Sequence, residues 1–331
     1  MSPRDETWRP TATREMLQLR ARLLARARSF FATRGVLEVD TPVVVNAAVT
    51  DVHLHSARVS FAGPEGEAAS QVDFFLHTSP EYAMKRLLAA GSGDIYQICH
   101  VVRALERGRL HNAEFTLIEW YREGFTLEAL MDEVEALVRE LLGASAAAII
   151  VERISYQEAF LRELAVDPFT VALPQLLALA RQHGYQSAAE TAARDELLEL
   201  LMSVVVGPKL GLSGLSFVHR YPATQAALAR LDPQDPRAAL RFELYGGGVE
   251  LANGFDELAC EAEQRARFEQ DVRERARRGL PELAPDERLL AALAAGLPPC
   301  AGVALGFDRT LMLAAGAAQI DDVLPFPIER A

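Results

Sequence analysis

Two arginine-bearing motifs, far apart in the chain, constrain it most. One is Arg103 with the downstream run Leu110-His111-Asn112-Ala113-Glu114-Phe115-Thr116; the other is Gly302-Val303-Ala304-Leu305-Gly306-Phe307-Asp308-Arg309. A guanidinium fork can hold a carboxylate and a phosphate oxygen together. An aromatic ring can carry adenine, and a second arginine can close over it. Small residues in the second motif let backbone approach a nucleotide closely. Activating a carboxylate with ATP needs these parts. The carboxylate attacks the α-phosphate, pyrophosphate leaves, and negative charge gathers on crowded oxygens. Catalysis is then mostly positioning plus fixed positive charge.

Composition narrows the setting. A chain of 331 residues, half of them hydrophobic, buries roughly three-quarters of its unfolded surface and needs no staple. No run reaches the ~18 uninterrupted apolar residues of a membrane span. The start, Met1-Ser2-Pro3-Arg4-Asp5-Glu6-Thr7, has no apolar signal core. Cys99, Cys260 and Cys300 are odd in number and in no metal-ligand spacing, which suits a reducing cytoplasm. The net charge of −12 has the wrong sign for gripping phosphate backbones, although a local basic patch can sit on an acidic protein.

Periodicity predicts a helix over residues 13–34, ended by Gly35, and a strand from Val36 to Val45 interrupted by Pro42. His53, Leu54 and His55 alternate as on a strand face, and Gly63-Pro64-Glu65-Gly66 reads as a turn. A strand from Val72 to His77 leads to Ser79 as N-cap, with Pro80 at the first helical position. Ile95 to Arg103 and Phe115 to Tyr121 read as strands joined by a polar hairpin loop. Phe125 to Leu142 and Tyr156 to Leu164 are amphipathic helices, and residues 165–215 are Ala/Leu-rich and helical with no polar constellation. Phe217 to Tyr221, Arg241 to Tyr245 and Gly248 to Asn253 read as strands. Ala259 to Arg278 is a charged helix with a solvated face. Cys99 and Cys260 read as small buried hydrophobes. Interleaved helices and hairpin-like strand pairs favour an α+β domain with an antiparallel β-sheet flanked by helices.

With Arg34-Gly35-Val36-Leu37-Glu38-Val39-Asp40-Thr41-Pro42 upstream, the order and spacing resemble motifs 1, 2 and 3 of class II aminoacyl-tRNA synthetases, the lysyl branch above all. The resemblance implies a single class II synthetase-like catalytic domain over 1–331, with 165–215 as an insertion-like helical segment. It implies catalysis by Arg103 and Arg309. ATP would be bound by Arg103, Ala104, Leu105, Arg109, His111, Asn112, Phe115, Glu250, Leu251, Gly306 and Arg309. Phe115 resembles the ring on which adenine stacks opposite Arg309. Family members read Arg-x-Glu where this chain has Arg103-Ala104-Leu105, so either backbone reads the adenine or Glu106 shifts into the role. Glu243 and Glu250, on neighbouring strands of a probable hairpin, match the family's Mg²⁺ ligands; carboxylates facing a triphosphate make sense only with a cation between them.

Ser79, Glu81, Tyr121, Asn253 and Glu257 stand where the lysyl branch surrounds lysine, a substrate with two ammonium groups that needs separated carboxylates. Motif 1 begins near residue 34, which leaves no room for an anticodon-reading OB-fold, and Ala304 replaces a glycine. These departures resemble the elongation factor P–lysine ligase family. Its members activate (R)-β-lysine and transfer it to a lysine of elongation factor P, a tRNA-shaped protein. The resemblance implies ATP and Mg²⁺ as cofactors and elongation factor P and lysine or β-lysine as partners. It also implies a homodimer through motif 1, with no tRNA and no membrane. Arg103, Arg107 and Arg109 would guide the acceptor. The competing readings are a truncated lysyl-tRNA synthetase-like enzyme that acylates tRNA, and a non-catalytic regulatory paralogue.

Overall fold

A computed structural model describes residues 8–61, 72–143, 148–186 and 192–331. Its contacts divide the chain into two compact units. The first comprises Met1–Gly124, Ala259–Cys300 and Ala304–Ala331; the second comprises Phe125–Leu258 and Ala301–Val303.

The first unit opens with α1 (Arg14–Ala32), whose first turn is capped by the Thr13 hydroxyl accepting from Met16 N. Gly35, at φ +68°, turns the chain out of it. β1 (Leu37–Glu38), β2 (Val44–Val45), β3 (Arg58–Phe61) and β4 (Val72–Leu76) follow, then α2 (Glu81–Ala89), β5 (Ile95–Val102) and β6 (Glu114–Glu123). β5 and β6 form a long antiparallel hairpin registered from Ile95↔Tyr121 to Val102↔Glu114. β1 lies parallel to β5, and β2-β4-β3 make a small separate sheet.

The strand expected from Val36 to Val45 shrinks to two short pieces. Its middle instead bonds along β5: Val39 N donates to Tyr96 O (2.8 Å) and Thr41 N to the Gln97 side chain (3.1 Å). Pro42, without an N–H, cannot extend the ladder. The expected His53–His55 strand face is also absent. Asp51 Oδ1 accepts from His53 N at 2.7 Å, a local side-chain turn that competes with strand pairing. The 63–66 turn lies outside the described residues.

In the second unit come α3 (Leu127–Leu142), β7 (Ile150–Ser155), α4 (Tyr156–Leu164), α5 (Leu173–Gln182), α6 (Arg194–Leu201), β8 (Gly214–Pro222), β9 (Ala238–Gly246) and β10 (Val249–Asp256). The strand order is β10-β9-β8-β7, antiparallel except for the parallel β7–β8 pair. The stretch 165–215, featureless for chemistry, builds a core. Val166, Leu176, Leu197, Leu201 and Val206 pack with Tyr156, Phe160, Val218 and Tyr221 in one buried cluster.

The chain then adds α7 (Glu261–Arg277), α8 (Glu287–Gly296), β11 (Cys300–Gly306) and α9 (Phe307–Ala315). α7 carries its charges in i,i+4 pairs such as Arg265–Glu261 (2.7 Å) and Arg267–Glu263 (2.6 Å), as its alternating signs suggest. Cys260, expected to be buried, is exposed at the start of α7, whereas Cys300 is buried. No helix among the described residues is long and apolar enough to cross a membrane.

Phe160 is fully buried and stacks on Tyr156 with ring centroids 4.6 Å apart. Phe160→Ala should lower the stability of the second unit by about 3–5 kcal/mol, the transfer and cavity cost of a buried aromatic. Urea unfolding followed by the near-ultraviolet signal measures it, and a loss below about 1 kcal/mol would mean this cluster is not a packed core.

Candidate active site

Motif 2 assembles at the end of the β5–β6 hairpin. Arg103 is the first residue after β5, and its backbone N–H donates to Ala113 O at 2.8 Å, closing the hairpin mouth. The register sets Phe115 opposite Val101, next to that mouth. The Arg103 guanidinium sits 5.0 Å over the Phe115 ring centroid. Its Nη1 donates to Glu106 at 3.1 Å and its Nε to Thr78 O at 3.4 Å. Glu106 therefore lies against the arginine that it follows. Leu105 is 72% exposed, and the Ala104 N–H is committed to His55 O (2.8 Å).

Arg309, on α9, meets this hairpin. Its Nη2 donates to His111 Nε2 at 2.6 Å and its Nε to Leu110 O at 3.3 Å. Accepting at Nε2 requires a neutral imidazole protonated on Nδ1. Burial, then the positive charge of Arg309, hold the His111 pKa below its ordinary value, in agreement with that tautomer. Asn112 is buried, its Nδ2 donating to Glu114 O (2.7 Å) and its Oδ1 accepting from Ile328 N (3.0 Å). Gly306 is the N-cap of α9, and its carbonyl accepts from the Thr310 hydroxyl (2.9 Å). Arg109 donates to Ala318 O at 2.9 Å. Arg107, one of the arginines expected to guide an acceptor, is instead paired with Asp321 and Glu329.

In the same unit a carboxylate cluster surrounds the start of α2. This helix begins one residue later than the sequence suggests, with Pro80 as its N-cap. Ser79 Oγ accepts from Glu81 N at 3.0 Å and donates to Glu119 Oε2 at 2.8 Å. Tyr121 OH donates to the other oxygen of Glu119 at 2.9 Å. Glu81 pairs with Lys85, whose ammonium is buried, at 2.7 Å. Glu119 was not among the expected site residues, yet it joins Ser79 to Tyr121. The signal was available: a glutamate inside the apolar strand run Leu117-Ile118-Glu119-Trp120-Tyr121, two residues from Tyr121 and so on its face. Burial, then the negative charge of Glu81, push the Glu119 carboxyl up to about 8. A buried acid held this way favours the arrival of a cation.

The second unit carries the other expected residues. Glu243, on β9, is buried, and its two oxygens accept from Arg241 Nη2 (2.5 Å) and Tyr245 OH (2.6 Å). Arg241 Nε also donates to Asn253 Oδ1 at 3.2 Å. The β9–β10 register pairs Glu250 with Tyr245 and Asn253 with Glu243, so all four share one face. Two oxygen-donor carboxylates on one face fit a Mg²⁺ ion, since each Glu243 oxygen keeps a second lone pair. Among the described residues no group of three or more His, Cys, Asp or Glu is gathered as a metal cage. Phosphate oxygens and water would fill the remaining positions, as is usual for Mg²⁺. Leu251 and Glu257 are buried. Gly254 must lack a side chain, because a Cβ there would come within 2.5 Å of the Phe242 ring. Ala304, on β11, is half-buried.

The family described as class II tRNA synthetases of the D, K and N types matches residues 5–330. The chain belongs to this family. An elongation factor P–(R)-β-lysine ligase of Vibrio cholerae is 51% identical over 328 residues, 99% of each chain. Proteins of the same name from Erwinia tasmaniensis and Salmonella typhi are 49% and 48% identical, each over 98% of both chains.

The Glu119 environment makes a prediction with a definite sign. Its folded pKa, about 8, lies above the ordinary carboxyl value of 4.5. Between those values the folded state binds more protons than the unfolded one, so stability falls as pH rises through the window. Glu119→Gln removes that dependence. Its melting temperature relative to the parent should therefore be higher at about pH 9 than at about pH 5. Parallel melting curves across that range would show that Glu119 titrates normally.

Proposed function

We propose that this chain activates (R)-β-lysine, or lysine, with ATP and transfers the acyl group to a lysine ε-amine of elongation factor P. The observation that carries the reading is the cluster in which Ser79 and Glu81, at the start of α2, meet the buried Glu119 and Tyr121 of β6, the strand whose hairpin with β5 also presents Arg103 and Phe115. A pocket of carboxylates selects a diamino acid by its ammonium groups, and the full-length relatives carry the matching name.

In the first half-reaction a substrate carboxylate oxygen bonds to the α-phosphorus as the bond to the pyrophosphate oxygen breaks. Arg103 bridges the carboxylate and the α-phosphate, and Phe115 carries the adenine with Arg309 closing over it. His111, neutral at Nε2, orients Arg309. Asn112, Arg109, Leu251 and Gly306 shape the nucleotide site, with Ala104 and Leu105 contributing backbone. Glu243 and Glu250 hold Mg²⁺, which neutralises charge on the triphosphate when bound. Glu81 and Ser79 receive one substrate ammonium; Glu119, Tyr121 and Glu257 receive the other; Asn253 faces the carboxylate end.

In the second half-reaction the acceptor nitrogen must be neutral. It bonds to the acyl carbon, AMP leaves with the former carboxylate oxygen, and the amine's proton passes to solvent. The protein works in the cytoplasm as a homodimer and uses no tRNA. Its net charge of −12 offers tRNA little long-range attraction.

Pyrophosphate exchange across α-lysine, (R)-β-lysine and (S)-β-lysine tests the first half, with (R)-β-lysine expected to be fastest. Labelled β-lysine offered to elongation factor P and, separately, to total tRNA tests the second. Label on tRNA with elongation factor P left bare would establish the truncated-synthetase reading instead. No exchange with any of the three would favour a binding paralogue.

Glu257 is 3% exposed, so Glu257→Gln should raise the barrier to activation by about 2–5 kcal/mol, the cost of removing one partner from a buried charge pair. Steady-state exchange kinetics measure this, and parental kcat/KM would remove Glu257 from the pocket.

A further inference from the structure

The motif 2 loop does not stand alone. Arg107 directs its guanidinium at two carboxylates: Nη1 and Nη2 each meet an oxygen of Asp321 at 3.1 Å, and Nη2 and Nε meet the two oxygens of Glu329, the former at 2.7 Å. Nη1 also donates to His111 O at 3.2 Å, inside the loop itself. Around this ion cluster the loop and the segment 318–330 exchange further bonds. Ile320 N donates to Arg109 O (2.9 Å), Arg109 Nη1 to Ala318 O (2.9 Å), and Ile328 N to the Asn112 side chain (3.0 Å). The segment is fastened at its other side to the residues before α1. Thr11 N donates to Pro325 O (2.9 Å), Ala12 N to Leu324 O (3.2 Å), and Arg330 to Arg9 O (3.1 Å).

We propose that Arg107 is a positioning residue for ATP: clasped by Asp321 and Glu329, it holds residues 107–112 in the form that receives the nucleotide. This rests on the reading that the loop binds ATP. An isolated exposed ion pair contributes little. Here one planar fork meets both carboxylates and a loop carbonyl, so breaking it removes a support of His111 and loosens the segment whose Ile328 N–H bonds Asn112. A loop that must be ordered when ATP arrives takes the ordering entropy from the binding free energy, and affinity falls by the fraction of competent loop. With its charge already matched by two carboxylates, Arg107 contributes order, not attraction for phosphate.

The test compares the parent with Arg107→Met, Asp321→Asn/Glu329→Gln, and the three combined. Pyrophosphate exchange is measured at saturating diamino acid, with thermal melts confirming that each variant is folded. Arg107→Met should raise the KM for ATP roughly three- to tenfold, a range set by a network of partly exposed pairs. kcat should stay within about twofold of the parent and the KM for the diamino acid should not move, as expected when only ground-state loop order is lost. The combined variant should be no worse than Arg107→Met alone, because the three groups act as one network. Added salt should raise the parent's KM for ATP more steeply than the variant's. An unchanged KM for ATP in Arg107→Met overturns the proposal, as does a fall in kcat with KM unmoved, which would make Arg107 a transition-state contact. Absence of exchange in the parent would instead sink the function proposed above. Hydrogen exchange then decides the clasp: amides of residues 108–112 should exchange faster in Arg107→Met, and equal rates would refute it.

Discussion

Asp308 is the point on which the first unit turns. Its buried carboxylate accepts from Arg20 on α1, in an ion pair that leaves the aspartate side chain 2% exposed. The other oxygen accepts from the backbone N–H of Thr116 on β6 at 2.6 Å. Arg20 closes the triangle by donating to the Thr116 hydroxyl at 2.6 Å and lying over the Phe307 ring. One carboxylate thus fixes α1, β6 and α9 against each other. A charge this deeply buried persists only when its acceptors are filled, so the triangle specifies one arrangement. Arg309 follows Asp308 immediately and Phe115 precedes Thr116. Fixing Asp308 to Thr116 therefore sets the second motif's arginine beside the first motif's hairpin.

The chemistry expected of the two halves of the site depends on opposite electrostatic settings. At the hairpin mouth Arg103 meets Glu106, and Arg309 meets the neutral His111. Both arginines stay charged and directional, which suits phosphate oxygens. Around α2 the balance reverses. Burial, then the negative charge of Glu81, push the Glu119 carboxyl up to about 8, while Lys85 pairs directly with Glu81. A diamino acid suits such a pocket because its ammonium lets both carboxylates ionise. Tyr121 and Ser79 hold Glu119 from both oxygens, so the carboxylate is oriented before any substrate arrives.

Much was legible in the sequence. Helical periodicity predicted α1, α3 and α4 to within a few residues, and the polar run between Arg103 and Phe115 read as a hairpin loop because strand patterns flank it. The failures share a cause. At Val36–Val45 the backbone bonds to a side chain and to a neighbouring strand's carbonyl; at His53 it bonds to a local aspartate. Neither partner is visible to a pattern of period two. Cys260 read as buried on residue type alone, yet it stands exposed at the start of α7. Glu119, a single carboxylate in an apolar strand, belongs to no motif; its meaning comes from Ser79 and Tyr121.

The sequence by itself determined which chemistry the chain carries. Arginine forks, an aromatic platform and a spread of carboxylates are properties of residue types, and their order identifies the family. Only the tertiary structure decided what each group is free to do. Arg107 looks as available as Arg103 in the sequence, but two carboxylates more than two hundred residues further along the chain occupy it. Glu119 looks like any strand glutamate until burial and Glu81 change its proton affinity. Charge and hydrogen-bonding capacity are fixed by the side chain. Pairing, burial and the pKa they set depend on neighbours that only folding brings within a few ångströms, because Coulomb and hydrogen-bond energies depend on distance and dielectric.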